Sequence, residues 1–129
     1  MLGAMIIYVG INVGLGGILT LGFQVPNDFA TVSDSVAFAI QDSHVRFLGG
    51  MFCGVGLTFV AGVVVPHRLW KALTVLCAIG FFAGWFRLWA DLDVLANSAL
   101  TLSMAIEVVG FPVLGVALWR RFGRTAIFA

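Results

Sequence analysis

The sequence predicts an all-α protein, a polytopic bundle of four transmembrane helices with both termini on the same side. Three observations carry this. Hydrophobic residues make up 61% of the 129 residues and charged residues only 10%, against about 25% charged in soluble domains. Cutting the chain at its prolines, charges and polar clusters leaves four apolar segments of about 22 residues each, enough to cross roughly 30 Å of hydrocarbon as helices. Lys and Arg also fall on one set of connections and Asp on the other.

The spans are expected at about 2–23, 43–65, 69–90 and 97–119, and together they occupy residues 1–129 as a single transmembrane domain. The first, closed by Gln24 and Pro26, has no basic region before it and is read as a retained span rather than a signal peptide. Pro66-His67-Arg68 closes the second, and Asp91 and Asp93 close the third. The fourth ends at Arg120-Arg121. Asp42 or Ser43 is positioned to cap the second span, and Asn97 or Ser98 the fourth. Pro112, inside the fourth, should kink it or leave a carbonyl for a neighbour to cover.

Arg68 and Lys71 follow the second span, and Arg120, Arg121 and Arg124 follow the fourth; Asp28, Asp34, Asp42, Asp91 and Asp93 lie in the other two connections. The positive-inside rule then puts both termini in the cytoplasm and the acidic connections outside. Trp70, Trp85, Trp89 and Trp119 lie near span ends, as interfacial anchors do. The first outer connection, 24–42, is long and partly apolar. Its Thr31-Val-Ser-Asp34 cap signature and Val36, Phe38, Ala39 and Ile40 predict a short amphipathic helix there.

Three glycine pairs have the four-residue spacing that lets membrane helices approach closely: Gly10 and Gly14, Gly50 and Gly54, Gly80 and Gly84. These glycines are the expected packing positions. Arg46 shares the face of Gly50 and Gly54, Arg87 that of Gly80 and Gly84, and Glu107 that of Ser103 and Gly110. Counted at about 1.5 Å per residue, Arg46 and Arg87 sit about 6 Å below the outer boundary and Glu107 about 15 Å below it. Side chains lean toward a helix N-terminus, so on antiparallel spans Arg87 and Glu107 lean toward each other. We expect them to pair, with Arg46 and His44 above them in a polar pocket open to the outside. The bland alternatives are that the ion pair only fixes helix register and that Arg46 snorkels to headgroups.

A net charge of +1 and no basic face argue against nucleic-acid binding. Cys53 and Cys77 lie in apolar runs without metal-ligand spacing and read as small packed side chains. His44 and His67 fall on opposite sides of the expected membrane, which rules out joint haem ligation. No metal, cofactor, phosphate or nucleophile motif is present. A carboxylate held by an arginine is a poor general base near neutral pH, so catalysis by Glu107 or His44 is the weakest reading.

The run DSHVRFLGG entering the second span, FFAGWFRL ending the third and AIEVVGFP in the fourth resemble the bacterial domain-of-unknown-function family numbered 4345. The likeness covers nearly the whole chain. It implies a small four-helix membrane protein in which Asp42, His44, Arg46, Arg87 and Glu107 form the ligand- or partner-binding set, and it implies no substrate. Two functions then compete. One is a non-catalytic accessory subunit of a larger respiratory or photosynthetic inner-membrane complex, with membrane lipids and other subunits as partners. The other is a carrier for a small anionic or amphipathic, lipid-like molecule held by the Arg/Glu pocket.

Overall fold

A computed structural model describes residues 1–19, 34–90 and 98–123, and all the regular structure among them is helical. Helix α1 runs Leu2–Gly16 and continues in one tighter turn, Gly17–Leu19; α2 is Ser35–Val64 and α3 is Pro66–Ala90. The last helical stretch is built from α4, Ser98–Ala105, a wide turn at Ile106–Gly110, α5, Phe111–Leu118, and a second wide turn at Trp119–Gly123. Ser35–Val64, Pro66–Trp89 and Leu102–Gly123 are each long and apolar enough to cross a membrane; α1, with 15 residues, is shorter than the roughly 20 that a span needs.

The described residues form two compact units, Met1–Ala61 and Gly62–Ala129. Their exterior is apolar. Phe59, Leu73, Cys77 and Met104 are the buried hydrophobic side chains, whereas Phe47, Leu57, Val63, Phe86, Leu102 and Val113 face outward. A surface like this suits hydrocarbon, where helices bond their own backbone groups and gain cohesion from close packing rather than from escaping water.

The start of α2 corrects the sequence reading. Asp34 accepts the amides of Val36 and Ala37 through Oδ1 at 2.9 and 3.1 Å, which makes it the cap. Val36, Phe38, Ala39 and Ile40 therefore lie in the opening turns of the 30-residue α2 rather than in a separate surface helix. Asp42 consequently sits two turns inside α2, where neither it nor Ser43 can cap the helix. Residues 24–33 of the first connection lie outside the described residues, as do 20–23 at the end of the first expected span and Asp91, Asp93, Asn97 and Arg124.

Within the first unit α1 and α2 run antiparallel with their backbones almost touching. A methyl carbon added to Gly10 would stand 2.7 Å from the Cys53 amide nitrogen and 2.8 Å from the Gly49 carbonyl oxygen. One added to Gly3 would stand 2.8 Å from the Gly56 oxygen, and one on Gly49 would strike the backbone of Gly14. Small residues on both sides are what permit this approach.

On α2 the packing row is Gly49, Cys53, Gly56 rather than the expected Gly50 and Gly54. A methyl carbon at either of those two meets nothing within 4 Å among the described residues. The physical reason is the 4-3 spacing of Gly49, Cys53 and Gly56, which follows one face of a 3.6-residue helix. A four-residue step alone drifts around it.

In the second unit, the turn between α2 and α3 is a single residue. The Val65 carbonyl accepts from the amides of Arg68 and Leu69 at 3.1 and 3.2 Å, and Pro66 opens α3, where its missing amide costs nothing. Gly62 meets Leu73 just across that turn. Farther along, α3 lies antiparallel to the last helical stretch through Gly84 against Glu107, Gly80 against Phe111, Cys77 against Gly115 and Trp70 against Gly123.

Candidate functional site

Two clusters of charge hold Asp42 and Arg46 in the first unit and Arg87 and Glu107 in the second. In the first, α1 ends where Gly17 turns left-handed at φ 66°, and its amide closes the helix on the Val13 carbonyl. Only glycine is at ease there, because a methyl carbon would also overlap the Asp42 carboxylate. Asp42 Oδ1 then accepts the amide of Ile18 at 2.9 Å, while its Oδ2 accepts from Arg46 Nε at 2.6 Å. Arg46 Nη1 in turn donates to the carbonyls of Gly14, at 3.4 Å, and Leu15.

The pattern is a helix C-cap supplied by a neighbouring helix. The last carbonyls of α1 have no partner of their own and carry the negative end of its dipole, which a guanidinium satisfies. Aspartate and arginine four residues apart on α2 share one face, so the carboxylate fixes the arginine while accepting the first amide beyond the helix. Arg46 is accordingly a capping group, and His44, on the same helix, is exposed.

The second cluster is the ion pair between α3 and the wide turn Ile106–Gly110. Arg87 Nη1 donates to Glu107 Oε1 at 2.7 Å and to Oε2 at 2.9 Å. Gly84 makes room for this, because a methyl carbon on it would come within 2.6 Å of the Glu107 Cβ. Pro112 accounts for the unusual backbone. Having no amide and a ring that crowds the carbonyl four residues back, it cannot follow a regular turn, and just ahead of it Phe111 donates to Ile106, five residues back. Sequence reasoning anticipated a kink at Pro112, and the distortion that occurs is a widened turn carrying Glu107.

The pair is half-exposed, with 39% of the Arg87 side chain and 21% of that of Glu107 accessible. A single nitrogen of Arg87 engages both carboxylate oxygens, so Nε and Nη2 have no partner among the described residues. Arg46 finds its partners inside the first unit, and Arg87 and Glu107 find theirs inside the second. The described residues contain no group of three or more His, Cys, Asp and Glu able to hold a metal ion. Cys53 gives a long 3.9 Å contact to the Ile7 carbonyl, and Cys77 is buried against Gly115.

A family model described as a domain of unknown function, DUF4345, matches residues 1–118. The chain belongs to the DUF4345 family. No curated protein and no solved structure matches it. The DUF4345 match takes in α1 to α3, both charge clusters and Pro112. Sequence reasoning missed the role of Gly17 and of the α1 carbonyls. The signal was the adjacent glycine pair Gly16-Gly17 closing an apolar helix, a common way for helices to end.

Proposed function

We propose that this DUF4345 protein is a non-catalytic subunit of a larger bacterial inner-membrane assembly, both termini cytoplasmic, and that it acts by packing against other membrane proteins. The observation behind this reading is how the chain uses its polar groups. Asp42 and Arg46 are taken up in ending α1, Glu107 is held by Arg87, and the remaining helical surface is largely outward-facing apolar side chains. Charges used in this way fix helix register rather than chemistry, and a broad apolar exterior is available to neighbours or lipid. Extraction in mild detergent followed by native mass spectrometry tests it: other membrane subunits should accompany the chain in fixed stoichiometry. Recovery solely as a monomer or homo-oligomer would refute the proposal.

A second reading is supported by the half-engaged guanidinium of Arg87. With Nε and Nη2 unpartnered among the described residues and the side chain 39% exposed, it has donors to spare for a carboxylate or phosphate of a small anionic or amphipathic molecule. Arg87→Ala should then strip a co-purifying ligand while the helices still form. A chain that carries no such ligand when wild type would dismiss this second reading.

A further inference from the structure

The opposite end of the second unit carries a feature that neither reading uses. Trp70, one turn into α3, meets Trp119 edge to face, with ring centroids 6.3 Å apart and planes at 73°. Gly123 abuts the same indole, since a methyl carbon on it would stand 3.5 Å from Trp70 Cη2. These contacts tie the beginning of α3 to the wide turn Trp119–Gly123. They thereby gather four exposed cations, Arg68, Lys71, Arg120 and Arg121, at one end of the helix pair.

Lys71 Nζ lies 5.6 Å from the Trp70 ring centroid, and the Arg121 guanidinium carbon lies 5.5 Å from that of Phe122. The single carboxylate among the described residues of this unit, Glu107, is bound by Arg87, so nothing acidic described here offsets the four charges.

We infer that this end of the protein is a binding surface for anionic phospholipid headgroups. The aromatic pair suits the interfacial layer of a bilayer, and the cations reach the phosphate level just beyond it. Bilayer lipid is the source because both helices that lead to the cluster are apolar and of membrane length, which holds headgroups against it at high local concentration. The inference rests on the membrane reading of these helices and is independent of any partner subunit.

Native mass spectrometry of the full chain in neutral detergent, with equal amounts of phosphatidylglycerol and phosphatidylcholine added, tests this. Phosphatidylglycerol should be retained several-fold over phosphatidylcholine. The variant Arg120→Gln with Arg121→Gln should bring that preference most of the way to parity. Arg120→Lys with Arg121→Lys should keep it, which guards against a mere folding defect.

Equal retention of the two lipids, or a preference undiminished in the double glutamine variant, overturns the inference. Alkaline extraction of membranes separates the two levels: release of the protein would overturn the membrane reading itself, while retention without lipid preference would overturn this inference alone.

Discussion

Arg46 of α2 donates to the backbone carbonyl of Gly14 in α1, 3.4 Å away, and the same nitrogen reaches the carbonyl of Leu15. A helix too short to span a membrane with its described residues is thereby finished by a group borrowed from its neighbour. Arg46→Ala should lower the thermal unfolding midpoint in detergent and speed hydrogen exchange at the Ile18 amide, since Asp42 loses the group that fixes it. Arg46→Lys, with a point charge in place of a planar fork, should fall between wild type and alanine. An alanine variant as stable and as protected as wild type would show that the cap is incidental.

The one-residue choice between Gly49 and Gly50 can be read directly. Gly49→Ala places a methyl group on the backbone of Gly14, which cannot swing aside, and should cost about 1–3 kcal/mol. Gly50→Ala and Gly54→Ala enter open space and should change stability by no more than about 1 kcal/mol, in the favourable direction. Thermal or denaturant unfolding of the three variants side by side decides it, and the reverse ranking would place the helix contact on the other face.

For Arg87 and Glu107 the expected result is a strong coupling. Removing either partner leaves the other charge half-buried and should cost about 1–3 kcal/mol. The paired replacement Arg87→Met with Glu107→Leu should be milder than either single change, because no charge is left without its counterpart. A double-mutant cycle by unfolding checks this. Strictly additive losses would mean that the two groups do not depend on each other.

Deleting Val116, which lies in the regular helix between the two wide turns, should rotate everything after it by about 100°. Trp119 would then leave Trp70. The near-ultraviolet circular dichroism of the tryptophans should weaken and the unfolding midpoint should fall. An unchanged spectrum would show that the contact does not depend on helix phase.

The Arg87–Glu107 pair was legible because opposite helix directions make their side chains lean toward each other, a purely geometric consequence of span order. The helical character of the apolar segments was legible for an equally simple reason, their length and lack of charge. The register of α2 was not. Gly49 and Gly50 are adjacent, so two stripes of small residues exist on one helix, and the motif spacing selects the one that does not pack against α1. The start of α2 was misplaced because Asp42 and Ser43 are good caps next to an apolar run, whereas Asp34, eight residues earlier, is the cap used. A hydropathy boundary marks where lipid begins, not where a helix does. The α1 cap depended on carbonyl groups, which no side-chain pattern displays.

The helix pair of the second unit also keeps two different rhythms. On α3 the residues facing the partner fall at Trp70, Cys77, Gly80, Gly84 and Arg87, in steps of seven, three, four and three. On the partner, Glu107, Phe111, Gly115, Trp119 and Gly123 recur at every fourth position. In an undistorted helix an every-fourth row creeps about 40° per step, so Gly123 would end about 160° away from Glu107. The slack in the two wide turns takes up that creep. The stretch between Glu107 and Gly123 is therefore a measured length: one residue gained or lost there puts the charged end and the aromatic end out of step, a fault that no change of side chain can mend.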